Sequence, residues 1–142
     1  MKDGASTSSA RTDFKVSAQA LAAMQSAAQS AHPIEACGLL LGEGTQITHF
    51  TETRNVHPRP ETHFEIDPQV LIDAYRDERE GGPQVLGYFH SHPTGDPAPS
   101  KTDRAQAAHD GKLWMIAGDG QVECWRDDPD GFHRVSYAIA TG

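Results

Sequence analysis

Apolar residues recur along this chain with two periods, and the switching between them outlines a layered α/β domain. From Ser17 to Ala31, Leu21, Met24 and Ala28 return at helical spacing in an alanine-rich stretch, with Ser17 as the expected N-cap and Pro33 as the stop. Glu35-Ala36-Cys37-Gly38-Leu39-Leu40-Leu41-Gly42 is a short apolar run of buried-strand length. Gly44 marks a turn, and Thr45 to Thr51 is a second strand. The polar stretch Glu52 to Thr62, broken by Pro58 and Pro60, reads as a loop, and His63 to Ile66 as a short strand. Asp67-Pro68 opens a second helix with aspartate at the N-cap and proline at N1. Val70, Leu71, Ala74 and Tyr75 form its apolar face, and Gly81-Gly82 ends it.

Gln84 to His90 is a strand, and Ser100 to His109 a third helix closed by Gly111. Lys112 to Ala117 and Gln121 to Arg126 flank the hairpin signal Gly118-Asp119-Gly120, and Phe132 to Ile139 is a final strand. Three helices among about six strands predict an α/β fold with a mixed β-sheet flanked by helices. The residues before Phe14 are small and polar, so residues 1–13 read as a flexible tail and 14–142 as one domain.

Composition narrows the function classes. A net charge of -8 without a basic cluster argues against nucleic acid as the main partner. No apolar run approaches bilayer length and no secretory h-region opens the chain, so a cytoplasmic protein with no membrane partner is expected. Cys37 and Cys124 form neither a Cys-x-x-Cys knuckle nor a disulfide framework, and Cys37 reads as a small buried hydrophobe.

The chemistry concentrates between His90 and Asp103. Two histidines spaced i, i+2 on an extended segment leave the same face about 6 to 7 Å apart, so both imidazoles can converge on one ion. Asp103 can supply a third, oxygen ligand. Two His and one carboxylate leave one tetrahedral position for water, the ligand count of a catalytic zinc site. Ser100-x-x-Asp103 is equally a helix capping signature, and both roles can hold together because a helix N-terminus fixes where the aspartate points. Asp96, inside a Gly-Pro turn, is a competing carboxylate. A water activated in this way needs a proton acceptor beyond the ligands, and Glu35 at the start of a buried strand is the candidate; an exposed strand-edge glutamate is the alternative. The other histidines are not expected to be ligands. His57 and His63 lie where they could line a cleft, and Asn55 and Thr62 where they could orient a substrate strand.

Pro33-x-Glu35-Ala36-Cys37-Gly38-Leu39-Leu40-Leu41-Gly42, followed by His90-x-His92-Pro93-x6-Ser100-x2-Asp103, resembles the JAMM (MPN-plus) zinc metalloprotease family, most of all its compact prokaryotic members. The resemblance runs from Phe14 to Ile139. It implies a cytidine-deaminase-like sandwich, and a hydrolase cutting peptide or isopeptide bonds after the C-terminal Gly-Gly of a ubiquitin-like or sulfur-carrier β-grasp protein. Carried over by position, it makes His90, His92 and Asp103 ligands of Zn2+, Glu35 the general base and later acid, and Ser100 the donor to the developing oxyanion. The turn His92-Pro93-Thr94-Gly95-Asp96-Pro97 also resembles RadC-like JAB domains, and a non-catalytic scaffold that binds a β-grasp partner is the reading from another class.

Overall fold

A computed structural model describes residues 13–141; apart from Asp13, the tail expected at residues 1–13 lies outside the described residues. The elements run β1 (Phe14–Ser17), α1 (Ala18–Ala31), β2 (Cys37–Glu43), β3 (Gln46–Thr53), α2 (Pro68–Arg79), β4 (Gln84–Ser91), α3 (Lys101–Gln106), β5 (Leu113–Gly118), β6 (Gln121–Asp128), β7 (Gly131–Val135) and β8 (Tyr137–Ala140). The strands form one mixed sheet in the order β7-β6-β5-β4-β2-β3-β1-β8. The β1/β3, β1/β8 and β4/β5 pairs are parallel and the others antiparallel. The expected mixed sheet flanked by helices is therefore what the chain builds.

The two strands at opposite ends of that order, β7 and β8, are separated in sequence by Ser136 alone. The sheet must therefore curl until its ends meet, and Tyr137 on β8 donates its hydroxyl to the Val122 carbonyl on β6 at 2.6 Å across the seam. The single strand expected at Phe132 to Ile139 is this seam: one extended run that pairs with β6 first and with β1 afterwards.

Inside the curl lies α1. Ser17 caps it as expected, accepting from the Ala20 amide at 3.0 Å, and also donates to the Thr48 carbonyl at 3.1 Å. Its buried face is Ala20, Met24 and Ala27, while Leu21 and Ala28 pack only at the shoulder. Alanine is favoured there because the curled sheet comes close to the helix axis. Seven strands contribute to this core, among them through Val16, Leu40, Ile47, Phe89, Met115, Cys124 and Val135. The opposite face of the sheet carries a smaller cluster of Cys37, Leu39, Ile66 and Val85 beneath Val70, Leu71, Ala74 and Tyr75 of α2, the apolar face expected for that helix.

Val85 and Phe89 lie four residues apart on β4 yet face opposite layers. The cause is a bulge: Leu40 pairs with Gly87 and Leu41 with Val85, which leaves Leu86 as an extra residue that reverses the alternation. The strand thus serves α2 at its start and the α1 core at its end.

Other expectations need correction. Phe14–Ser17 is a strand, too short beside an alanine-rich helix to stand out. His63 to Ile66 forms no strand; only the isolated bridge between Asn55 and Ile66 remains, because the Asn55 side chain takes much of that segment's backbone bonding. The third helix stops at Gln106, short of the expected His109. Buried Asp127 draws the chain away, accepting from the His109 amide at 2.8 Å and bonding its Nδ1 at 3.1 Å. Cys37 and Cys124 are both free and buried. Among the described residues no helix is long and apolar enough to cross a membrane.

Candidate metal centre

The last ladder pair between β2 and β4 is Cys37 opposite His90. Beyond it, the Ser91 amide donates to the Ala36 carbonyl at 3.0 Å, and the Ala36 amide donates to Ser91 Oγ at 2.8 Å. These bonds carry the strand alignment onward and bring Glu35 alongside His92. The period of two turns Ser91 away from both imidazoles, which frees its hydroxyl for this clamp.

His90 Nε2, His92 Nε2 and Asp103 Oδ2 converge. Asp103 Oδ2 lies 3.0 Å from His90 Nε2 and 3.1 Å from His92 Nε2, and the two nitrogens are 3.2 Å apart. Three donors held at about 2.0 to 2.1 Å from one zinc in tetrahedral array would lie roughly 3.3 Å apart, so the donor set fits that ion. His90 is fully buried and Asp103 is 3% exposed. Asp103 also accepts from the Ser100 amide at 2.9 Å, while Ser100 Oγ accepts from the Asp103 amide at 3.0 Å. The capping box and the convergence on the histidines use the same carboxyl oxygen, so the two readings of Ser100-x-x-Asp103 describe one structure.

His92 Nδ1 donates to the Asp96 carbonyl at 2.7 Å, which fixes the tautomer and leaves Nε2 as the lone-pair donor. Asp96 contributes this backbone oxygen and nothing else: its side chain is exposed and stands outside the converging group. The turn that presents it is seated by two residues that lie outside the His90–Asp103 stretch. Trp125 Nε1 donates to the Pro97 carbonyl at 2.9 Å. At Gly118 a Cβ would come within 2.7 Å of the Gly95 carbonyl, so only glycine lets the turn lie on the end of β5. His90 is held differently: the Phe64 ring stacks on it at 4.4 Å and 14°, and Trp114 meets it edge-on at 5.6 Å.

Electrostatics separate the groups. Burial pushes the Glu35 carboxyl up from 4.5 to about 8; the Asp103 charge pushes the same way and His92 opposes. Burial would raise Asp103 too, but the hydrogen bonds from His90 and His92 prevail and hold its carboxyl well below the usual range. Burial lowers His90; it lowers His92 too, but there the bonds to Asp103 and the Asp96 carbonyl, with the charges of Asp103 and Glu35, together outweigh it and raise the group. Glu35 is 5% exposed, and its Oε1 bonds to no protein group.

Glu35 lines a cleft of about 730 Å³ with Ala31, Ile34, Arg54, His57 and Pro60; of the two loop histidines that could have lined it, His57 does and His63 is not among its walls. His92 lines a separate groove of about 620 Å³ beside the β5–β6 turn. Asn55 is not free to orient a substrate strand. Its Nδ2 donates to the carbonyls of Glu35 at 3.0 Å and His63 at 2.9 Å, and its Oδ1 accepts from the amides of His57 and Glu65, each at 3.1 Å. Thr62 bonds the neighbouring His63 ring at 2.7 Å. Asp128, Asp130 and His133 form a second His/Asp group, but on a largely exposed turn where His133 pairs with Asp130 at 2.8 Å.

The sequence pattern described as prokaryotic homologs of the JAB domain matches residues 17–128. The desampylase of Haloferax volcanii is 32% identical over 110 residues, which is 75% of this chain and 79% of that protein. A probable TtuB-protein conjugate cleaving protease of Thermus thermophilus is 35% identical over 75 residues, 53% of this chain and 50% of its own length. Among solved structures, a protein from Desulfitobacterium hafniense is similar with a TM-score of 0.79 and 26% identity, over 91% of this chain and 94% of that one.

Proposed function

The chain belongs to the family of prokaryotic homologs of the JAB domain, and from that premise we propose that it is a zinc-dependent isopeptidase. Its substrate on this reading is a ubiquitin-like or sulfur-carrier β-grasp protein joined through its C-terminal Gly-Gly to an amine. The observation that carries the reading is the convergence of His90 Nε2, His92 Nε2 and Asp103 Oδ2 within 3.2 Å of one another, beside a buried glutamate whose proton affinity lies near neutrality. The similarity to a desampylase and to a probable protein-conjugate cleaving protease supports the substrate class.

His90, His92 and Asp103 would hold the metal. When bound, zinc supplies a Lewis acid that polarises the scissile carbonyl and lowers the pKa of water to around 7. Glu35 accepts the proton of the attacking water and delivers it to the departing amine. A carboxyl at about 8 in the chain alone is poised for both, and a divalent cation nearby favours its carboxylate form. Ser100 keeps its own hydroxyl proton while its oxygen caps α3, so it can donate to the oxyanion as the carbonyl turns tetrahedral. Glycine at the scissile position offers no side chain, so recognition rests on backbone pairing in the cleft that Glu35 lines.

The test is cleavage of Gly-Gly-linked conjugates of β-grasp carriers, followed by mass with and without a chelator. Chelator-sensitive release of the free carrier supports the reading. Stoichiometric binding of the carrier without cleavage would replace it with the scaffold reading.

A further inference from the structure

The loop between β3 and α2 lies outside the three converging ligands, yet one side chain in it bonds to backbone at several points around the site. We propose that Asn55 is a positioning residue that holds Glu35 and the ring stacked on His90 in a single frame. The inference rests on the peptidase reading above for what Glu35 and His90 do.

Both sides of Glu35 are fixed to this loop. Its amide donates to the Pro60 carbonyl at 2.7 Å and its carbonyl accepts from Asn55 Nδ2 at 3.0 Å. The same side chain brackets Phe64: Nδ2 donates to the carbonyl of His63 at 2.9 Å, and Oδ1 accepts from the amide of Glu65 at 3.1 Å. A backbone bond from the Val56 amide to the Glu65 carbonyl, 3.0 Å, closes the frame. Phe64 then stacks on His90 at 4.4 Å. His92 is oriented by a hydrogen bond to the Asp96 carbonyl, whereas His90 Nδ1 bonds to no protein group. The flat contact with Phe64 therefore holds the plane of the His90 ring, which no hydrogen bond at Nδ1 does. One asparagine amide uses both its donors and its acceptor on these tasks, so no substitution preserves the set.

Asn55→Asp is the sharpest perturbation. It keeps the shape and the acceptor but replaces the donor to Glu35 and His63 with an oxygen that repels their carbonyls. Phe64→Leu keeps apolar bulk and every Asn55 bond while removing the flat face. Three measurements are made on each variant and the wild type: melting of the metal-free chain, zinc affinity by competition with a chromophoric chelator, and steady-state cleavage of a Gly-Gly-ended β-grasp carrier joined to a fluorescent amine. Assays are run well below every melting temperature.

Asn55→Asp is expected to lose about 10- to 100-fold in kcat with KM within about twofold, and about tenfold in zinc affinity, the range found when groups behind a metal ligand are changed. Phe64→Leu should weaken zinc, and Phe64→Tyr should restore it. A merely structural asparagine would lower the melting temperature alone. Wild-type kcat and zinc affinity in Asn55→Asp, at whatever melting temperature, would overturn the proposal, as would unchanged zinc affinity in Phe64→Leu. If Asn55→Asp does not fold, the Phe64 pair decides. A wild-type chain that binds zinc without cleaving anything sinks the peptidase reading instead, and the zinc measurements still decide the role of Asn55.

Discussion

Replacing Glu35 by Gln should change how the stability of the metal-free protein depends on pH, not only its activity. Burial and the Asp103 charge move the Glu35 carboxyl from 4.5 to about 8. The folded chain thus holds this proton more tightly than the unfolded chain. The protonated group's contribution is fully present below about pH 4.5, falls as pH rises through the interval, and is gone above about pH 8. At 1.36 kcal/mol per unit, the wild type loses about 3 kcal/mol on this account between about pH 5 and pH 8. Glutamine does not titrate. It carries an amide into a place where Glu35 Oε1 bonds to no protein group, a penalty of roughly 1 to 3 kcal/mol that does not vary with pH. The informative quantity is therefore the change of the difference with pH, not its value at one pH. Urea unfolding of chelator-treated wild type and Glu35→Gln at several pH values reads it directly. With a slope of about 1 to 3 kcal/mol per molar urea, the gap between the midpoints should shift in favour of the variant by about 1 M or more from pH 5 to pH 8. Adding zinc should undo much of that shift, since a nearby cation favours the carboxylate. A gap that stays flat across the range would mean that Glu35 is neither buried nor near Asp103, and the assignment of the base would go with it.

Glu35→Gln should retain zinc while kcat falls about 10²- to 10⁴-fold, measured on a Gly-Gly conjugate. Asp103→Ala should lose zinc binding in a chelator competition and activity with it, because the carboxyl that meets both histidines is gone. Ser100→Ala should cost about 1 kcal/mol in urea unfolding through the lost cap of α3, and about 10²- to 10³-fold in kcat through the lost oxyanion donor. Activity should fall below about pH 6 as the ligating histidines protonate, and raising free zinc should move that limb to lower pH.

How much of this was legible in the sequence depends on the range of the interaction. The convergence of His90, His92 and Asp103 was legible because its geometry is local: a period of two puts His90 and His92 on one face, and a cap at Ser100 aims Asp103. The helix caps at Ser17 and Asp67 were legible for the same reason. The curl was not, because the Phe132 to Ile139 run shows an extended pattern without showing that its halves pair with opposite ends of the sheet. Nor was the bulge at Leu86, since an apolar run buried on both faces has no alternation to interrupt. Asn55 and Gly118 are ordinary loop and turn residues by composition. Their parts follow from contacts with Glu35 and Gly95, distant in sequence, that only the folded chain makes.

The polar centre is also the least comfortable part of this fold when the chain is alone. It buries an imidazole whose protonation is disfavoured and a carboxyl driven toward its neutral form, and it holds two ring nitrogens 3.2 Å apart. Each of these features changes sign beside a divalent cation. Unprotonated imidazoles are what a metal requires, close donor atoms become shared ligands, and the glutamate regains a reason to ionise. A centre built only for stability would have exchanged these groups for apolar ones at little cost. Their cluster, at the point where β2 and β4 cease to pair, is the arrangement that a divalent cation would stabilise.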